Sequence, residues 1–299
     1  MNKLKKLGLT ALAGSLVASS VVAGDLSVTG GASIDYTSTS ETTGNGWSMG
    51  DSVNFNGSGD VNGMDVSLQI ELDGGSYDDY SIKIDTGEGG AITFSGASKG
   101  VGGLNNYADI VPTAWEEVYD VTDGRDHGMV GNISSTSSFA YNGTFGNVTL
   151  SAFYNPAGAS SSSFVVQYAD LIDGLTIGAG TGEVDTTQDE ESMWVKYVMG
   201  GITVGFQRSE VDYAAAATND AESDHYGISF AVNEDLTVSA GRQEVDFSGS
   251  LEDEESSGVS MSYTMGGLTI AGHANSTDTQ DGVAAEDETS KSINFAFAF

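Results

Sequence analysis

Apolar and polar residues alternate along most of the chain beyond residue 24. Leu26, Val28, Ala32, Ile34 and Tyr36 share one face, with Ser27, Thr29, Ser33 and Asp35 on the other. Trp47, Met49, Val53 and Phe55 repeat the pattern, and Met64, Val66, Leu68, Ile70 and Leu72 alternate strictly with Asp65, Ser67, Gln69, Glu71 and Asp73. A period of two with one apolar face predicts β-strands. Further segments follow near 80–85, 92–94, 139–141, 148–154, 164–168, 175–179, 193–199, 202–206, 226–232, 236–240, 259–265 and 268–274. The last sets Ile293, Phe295, Phe297 and Phe299 against Asn294, Ala296 and Ala298, giving sixteen segments. A flat aromatic strand left as a free edge invites aggregation. Pairing it with the first strand removes the edge, so the pattern predicts a closed antiparallel barrel whose aromatic face meets lipid.

The connections support this reading. Short turns such as 60–63, 86–90, 142–147, 170–174, 199–201, 233–235 and 265–267 alternate with longer polar, acidic segments at 38–46, 185–191, 214–223, 248–256 and 277–288. A membrane barrel with tight periplasmic turns and long outer loops has this asymmetry. Residues 174–178, 201–205, 235–239 and 267–271 form a faint repeat, each an apolar–Thr–apolar restart after a short turn.

Composition narrows the class. Lys3, Lys5 and Lys6, an apolar run over 7–17 and a small-residue stretch ending at Ala23 read as a secretory leader spanning 1–23, with 24–299 as the barrel. The apolar run is far short of the ~20 residues that span a bilayer as a helix. The formal charge is −33, which excludes nucleic acid as a partner because phosphates require a basic surface. There are no cysteines, hence no disulfide framework. Gly occurs 41 times and Pro only twice, a balance that suits strands better than disorder.

Residues 99–135 break the rhythm and far exceed an ordinary connection of about 4–6 residues, which marks them as functional. Tyr107, Ile110, Val111, Trp115, Val118 and Tyr119 call for burial, so the segment is expected to pack against a wall. Pro112 followed by Thr-Ala-Trp-Glu-Glu-Val permits a short helix. Its candidate constriction residues are Glu116, Glu117, Asp120, Asp123, Arg125 and Asp126. On the strands, parity turns Glu71, Lys83, Asp85 and Lys196 inward, whereas Arg208 and Arg242 fall on apolar parity, which implies a place near the outer rim or a bulge that resets the phase.

The leader, the sixteen segments, the alternating connections, the long segment after the fifth strand and the terminal Phe resemble the general porins of Gram-negative outer membranes, in their alphaproteobacterial style. The resemblance is architectural and covers the whole mature chain. It implies a sixteen-stranded homotrimeric barrel in the outer membrane, set in lipid and lipopolysaccharide. Residues 99–135 would be the third outer loop, folded inward to narrow the pore. Phe299, with Phe295 and Phe297 in the final strand, would be read by the barrel-assembly machinery. One departure is the scarcity of basic residues on the wall, which argues against a strong transverse field.

The expected function is passive diffusion of small hydrophilic solutes and ions. Carboxylates around the passage draw cations and repel anions, so a cation preference is expected. No cofactor is required; the acidic runs Asp185, Asp189, Glu190, Glu191 and Glu252–Glu255 suit loosely held Ca²⁺ or Mg²⁺. His127, His225 and His273 lack metal-ligand spacing, and no nucleophile elbow or phosphate loop occurs, so no enzyme is expected. Tyr36, Trp47, Tyr154, Tyr168, Trp194 and Tyr213 are assigned to the interfacial aromatic girdles. The rivals are a substrate-specific channel of the same fold and a secreted Ca²⁺-binding adhesin; the latter predicts tandem glycine–aspartate nonapeptides, which are absent.

Overall fold

A computed structural model describes residues 24–40, 44–96, 102–121, 130, 137–156, 158–215, 219–249, 251–284 and 286–299. The leader at 1–23, and Asp123, Arg125 and Asp126, lie outside the described residues. The strands are β1 (Asp25–Thr39), β2 (Trp47–Val61), β3 (Met64–Asp73), β4 (Ser76–Asp85), β5 (Ala91–Ser95), β6 (Ser138–Phe145), β7 (Val148–Asn155) and β8 (Ser161–Ala169). The chain continues through β9 (Leu175–Val184), β10 (Gln188–Met199), β11 (Ile202–Tyr213), β12 (Ala221–Ala231), β13 (Leu236–Phe247), β14 (Glu254–Met265), β15 (Leu268–Asp278) and β16 (Glu288–Ala298). Each pairs antiparallel with its sequence neighbours, and β16 pairs with β1, so the sixteen strands close into one barrel.

The closing seam runs from Gly31 opposite Ala298 to Thr39 opposite Ser290. Phe299 extends it by one rung, its N–H donating to Gly30 O at 3.0 Å while Gly30 N–H donates to Phe299 O at 2.8 Å. Along the seam Ile293 faces Tyr36, Phe295 faces Ile34 and Phe297 faces Ala32. The aromatic terminal strand is therefore a paired strand whose ring side belongs to the barrel exterior.

Tight turns set the register at the lower rim. The β2–β3 hairpin turns on Asn62 and Gly63, both with positive φ (56° and 81°), the backbone of a two-residue hairpin turn that Asn-Gly favours. The upper connections are less uniform than the sequence suggests. Between β3 and β4 the outer connection is only Gly74–Gly75, and between β9 and β10 it is 185–187. Segments 185–191, 214–223, 248–256 and 277–288, expected as long loops, are largely strand at their edges: Gln188, Ala221 and Glu254 already begin strands, and Asp278 still ends one. Both strand faces are polar there, which erases the apolar alternation but leaves the backbone ladder intact.

Large apolar side chains exposed on the outer face define a continuous band: Val204, Tyr226, Ile228, Phe230, Val232, Val259, Met261 and Met265. On the β12 side it runs from Tyr226 to Val232. Seven residues rise ~23 Å along a strand, or ~18 Å at a tilt of about 40°. That approaches the ~25 Å apolar band of membrane barrels. Tyr36 and Trp47 meet with ring centroids 5.1 Å apart near the upper margin, and Tyr154 and Tyr168 are also exposed. Above the band the same face turns acidic. A carboxylate is costly in hydrocarbon, so this boundary marks where a bilayer must end.

An arginine at the middle of the band should cost ~2–4 kcal/mol of folding into a bilayer, whereas its lumen-facing neighbour should tolerate one. The Ile228→Arg variant is expected to lower the unfolding midpoint in lipid vesicles by that amount, with Ser229→Arg near wild type. Equal effects from the two would contradict the assignment of faces.

Candidate functional site

The lumen face of β7 to β15 carries polar side chains around an apolar patch, and residues 102–121 lie against it. The segment enters through a short 3₁₀ turn, Gly103–Tyr107. There Gly103 N–H donates to Ser151 Oγ at 2.8 Å and Leu104 N–H to Ser163 Oγ at 3.0 Å. Leu104 is fully buried in a cluster with Val130, Val165, Trp194 and Val211, with Tyr107, Ile110, Val184 and Tyr213 packed around it. Trp194 stacks on Tyr107, ring centroids 4.9 Å apart. Trp194 and Tyr213 therefore do not join the outer aromatic girdles: both have lumen-facing parity, and the segment covers them.

Gln207 on β11 is the central clasp. Its Oε1 accepts Ile110 N–H at 2.8 Å, and its Nε2 donates to Tyr107 O at 2.9 Å and Ala108 O at 3.1 Å. Beyond it, Val111 and Pro112 press onto Gly205 and Gly227, where a Cβ on either glycine would collide with them. Ala114 N–H donates to Ser239 Oγ at 2.9 Å and Trp115 N–H to Ser260 Oγ at 3.1 Å. Asn275 on β15 donates to Glu117 O at 2.6 Å and Asp120 O at 3.2 Å. The helix expected after Pro112 does not form, because these backbone groups are held by wall side chains instead. Val111, Val118 and Tyr119 are buried, as their apolar character required.

The far end of the segment gathers carboxylates. Glu117 stands beside Asp109, and burial, then the neighbouring charges of Asp109, Asp120 and Glu116, push it up to about 9. Glu116, partly enclosed and next to Asp120 with Asp35 of β1 beyond, is pushed up to about 7. Burial alone would raise the Asp109 carboxyl, but His225, the Tyr119 hydroxyl and the Val111 N–H outweigh it and hold it below the usual aspartate value. Tyr119 Oη donates to Asp109 Oδ2 at 2.8 Å, and His225 Nδ1 lies 3.3 Å from the same oxygen. No local pattern points to His225 in this group, since its neighbours are more than a hundred residues away. Only the docking of the segment unites them. His273, by contrast, has Ser290 and Ser292 hydroxyls 3.0 and 2.9 Å from its two ring nitrogens.

The wall residues are spread out. Glu71 Oε1 accepts from Asn54 Nδ2 at 3.2 Å, and Asn54 Oδ1 accepts from Gln69 at 3.1 Å. Lys83 pairs with Asp85 at 3.0 Å, so its charge is largely compensated. Lys196 lies on the lumen parity of β10, two residues below Trp194. Arg208 and Arg242 stand on the outer face. Arg208 Nε donates to Asp224 Oδ1 at 2.6 Å, and Arg242 meets Glu255 at 2.8 Å and also pairs with Glu244. The β10–β14 register runs without a shift, so no bulge reverses them; the irregularity that does occur lies between Ile70 and Leu72.

Strand alternation splits the two acidic runs. Glu190 points inward, buried, accepting from Gln188 at 2.7 Å, and Glu254 is buried and accepts Asp281 N–H at 2.8 Å. Their neighbours Asp189, Glu191 and Glu255 face outward. Asp189 and Glu191 join Glu183, Glu210 and Asp212 around a shallow concavity on the outer wall. The acidity thus forms a collar above the apolar band.

A closed sixteen-stranded barrel with a polar lumen is the fold of porins, and solved porin structures superpose on this chain. OmpT of Vibrio cholerae lacking loop L8, an outer membrane protein, aligns with a TM-score of 0.73 at 13% identity, covering 92% of this chain and 99% of that one. A porin refined at 1.8 Å aligns with a TM-score of 0.71 at 15% identity, covering 92% and 100%. A mutant of the Rhodopseudomonas blastica porin aligns at 0.64 and 11% identity, covering 92% and 100%. No family model and no curated protein matches the chain.

Removing the clasp should free the segment without opening the barrel. Gln207→Ala leaves three backbone partners unpaired, a cost of ~1–3 kcal/mol to docking. The amides of residues 107–111 are expected to exchange hydrogen roughly tenfold faster or more, with β1–β16 protection unchanged. Unchanged exchange at 107–111 would show that Gln207 does not hold the segment.

Proposed function

We propose that the chain is an outer-membrane porin: a water-filled channel for passive, non-catalytic diffusion of small hydrophilic solutes and ions, with a preference for cations. The observation that carries the reading is an acidic segment held along the polar lumen of a closed barrel whose exterior is apolar. Residues 99–135 act as the constriction loop, with Glu116, Glu117 and Asp120 on its described part and Asp123, Arg125 and Asp126 completing it. Glu71, Lys83, Asp85 and Lys196 line the wall. Burial and the neighbouring carboxylates push Glu117 upward, so it contributes less negative charge than its place in the sequence suggests.

A homotrimer is the proposed assembly, consistent with the trimer form known for the Vibrio cholerae OmpT. Export through a leader at 1–23 and recognition of the β16 strand and Phe299 by the assembly machinery complete the route to the membrane. The outer collar, where arginines are outnumbered by carboxylates, suits loosely bound Ca²⁺ or Mg²⁺ bridging to anionic lipopolysaccharide; divalent cations favour several oxygens. Passage through the lumen requires no cofactor.

The test is single-channel recording of the purified protein in a planar bilayer under a KCl gradient. Large ohmic steps with a cation-directed reversal potential are expected. A unit charge a few ångströms from a permeating ion in water is worth ~1 kcal/mol. Combining Glu71→Gln with Asp120→Asn should therefore reduce the cation-to-anion permeability ratio roughly two- to fivefold. A reversal potential near zero in the wild type would refute the cation preference, and absence of steps from folded protein would refute the channel.

A further inference from the structure

We infer that Asp109, Glu117 and His225 form a binding site for one divalent transition-metal ion of the zinc type, which staples the docked segment to the β12 wall. The three side chains each offer a ligand atom, and these atoms all lie within 4.8 Å of one another. His225 Nδ1 and Asp109 Oδ2 are 3.3 Å apart. Two ligands bound to zinc at ~2.0–2.1 Å with a tetrahedral angle stand ~3.3–3.4 Å apart. That pair already has the spacing of one tetrahedron edge, and a Glu117 carboxylate oxygen lies within 4.8 Å of both.

The histidine points to a ligand independently of the carboxylates. His225 is 1% exposed, and its Nδ1 makes no aligned hydrogen bond; the Asp109 carboxylate oxygen 3.3 Å away is a charge contact only. A buried polar nitrogen left so is costly, and a metal ion satisfies it. Supporting contacts match what metal ligands need. Tyr119 donates to Asp109 Oδ2 at 2.8 Å and sets its ring edge against His225, centroids 5.7 Å apart. Asn275 fixes the Glu117 backbone at 2.6 Å. Such partners orient first ligands and are part of a working site.

Imidazole with two carboxylates suits zinc and its neighbours; Ca²⁺ and Mg²⁺ prefer oxygen alone. Three protein ligands leave a fourth position for water. Two ligands come from the docked segment and one from the wall, so the ion would bind only the docked arrangement and would stabilise it by mass action. The inference does not rest on the channel reading, because the metal is counted on the folded barrel whether or not it conducts.

The test uses the full chain, folded in detergent, stripped with chelator, loaded with ZnCl₂ and passed through gel filtration before elemental analysis; CoCl₂ loading gives a visible spectrum. The wild type is expected to retain one zinc per chain and to show cobalt d–d bands. Both His225→Ala and Glu117→Gln are expected to weaken binding more than tenfold, with heat-modifiable electrophoresis confirming folded barrels. Glu117→Gln alters only the docked segment and keeps the test decisive if His225→Ala fails to fold. A collar variant, Glu210→Gln, should bind as the wild type does. No retained zinc would overturn the inference, and equal retention in Glu117→Gln would overturn it by placing the ion elsewhere, on the collar.

Discussion

The rest of the structure depends on one constraint: a backbone N–H or C=O in an apolar, lipid-facing wall has no water to turn to. Each group left unpaired there costs several kcal/mol. The sequence meets this by running every strand antiparallel to its neighbour and bringing β16 back to β1, down to the reciprocal pair between Gly30 and Phe299. Closure explains why a chain so rich in Gly and so poor in Pro is workable, since Pro would remove a ladder donor. It also explains why the outer face can be aromatic and aliphatic without a free edge to aggregate.

Closure creates an interior that must be polar yet not collapse, and the docked segment fits that interior by two means. Small residues in the wall, Gly205, Gly227 and Gly241, leave room for Val111, Pro112 and Val118. Hydroxyl and amide side chains of Ser151, Ser163, Gln207, Ser239, Ser260 and Asn275 take up the segment's backbone groups. The segment is thus bonded almost like an additional strand, but by wall side chains rather than a backbone ladder. Because most of these bonds use the segment's main chain, its own side chains remain available, and the acidic ones gather at the far end beside His225.

Much of the barrel was legible in the sequence because strand parity is a local property. Leu26 to Tyr36 and Ile293 to Phe299 announce their faces by alternation alone, and all sixteen segments lie on observed strands. The misreadings have physical causes. Strands that rise above the apolar band, such as those containing Asp189–Glu191 and Glu254, are polar on both faces and look like loops. Residue type alone places Trp194 on the exterior, although it shares the parity of Lys196; a tryptophan indoors needs a cover, and the docked segment supplies it through Tyr107 and Leu104. The grouping of Asp109, Glu117 and His225 was not legible, because no local pattern records which wall position a distant segment will touch.

The proposed channel function puts the passage through the barrel beside residues 102–121. It is tested most directly by placing a cysteine at Asp120 in this cysteine-free chain and adding a bulky cationic thiol reagent while recording single channels. The account predicts stepwise loss of current together with a fall in cation preference. Unchanged current after modification verified by mass would mean that ions do not pass the segment, and would contradict it.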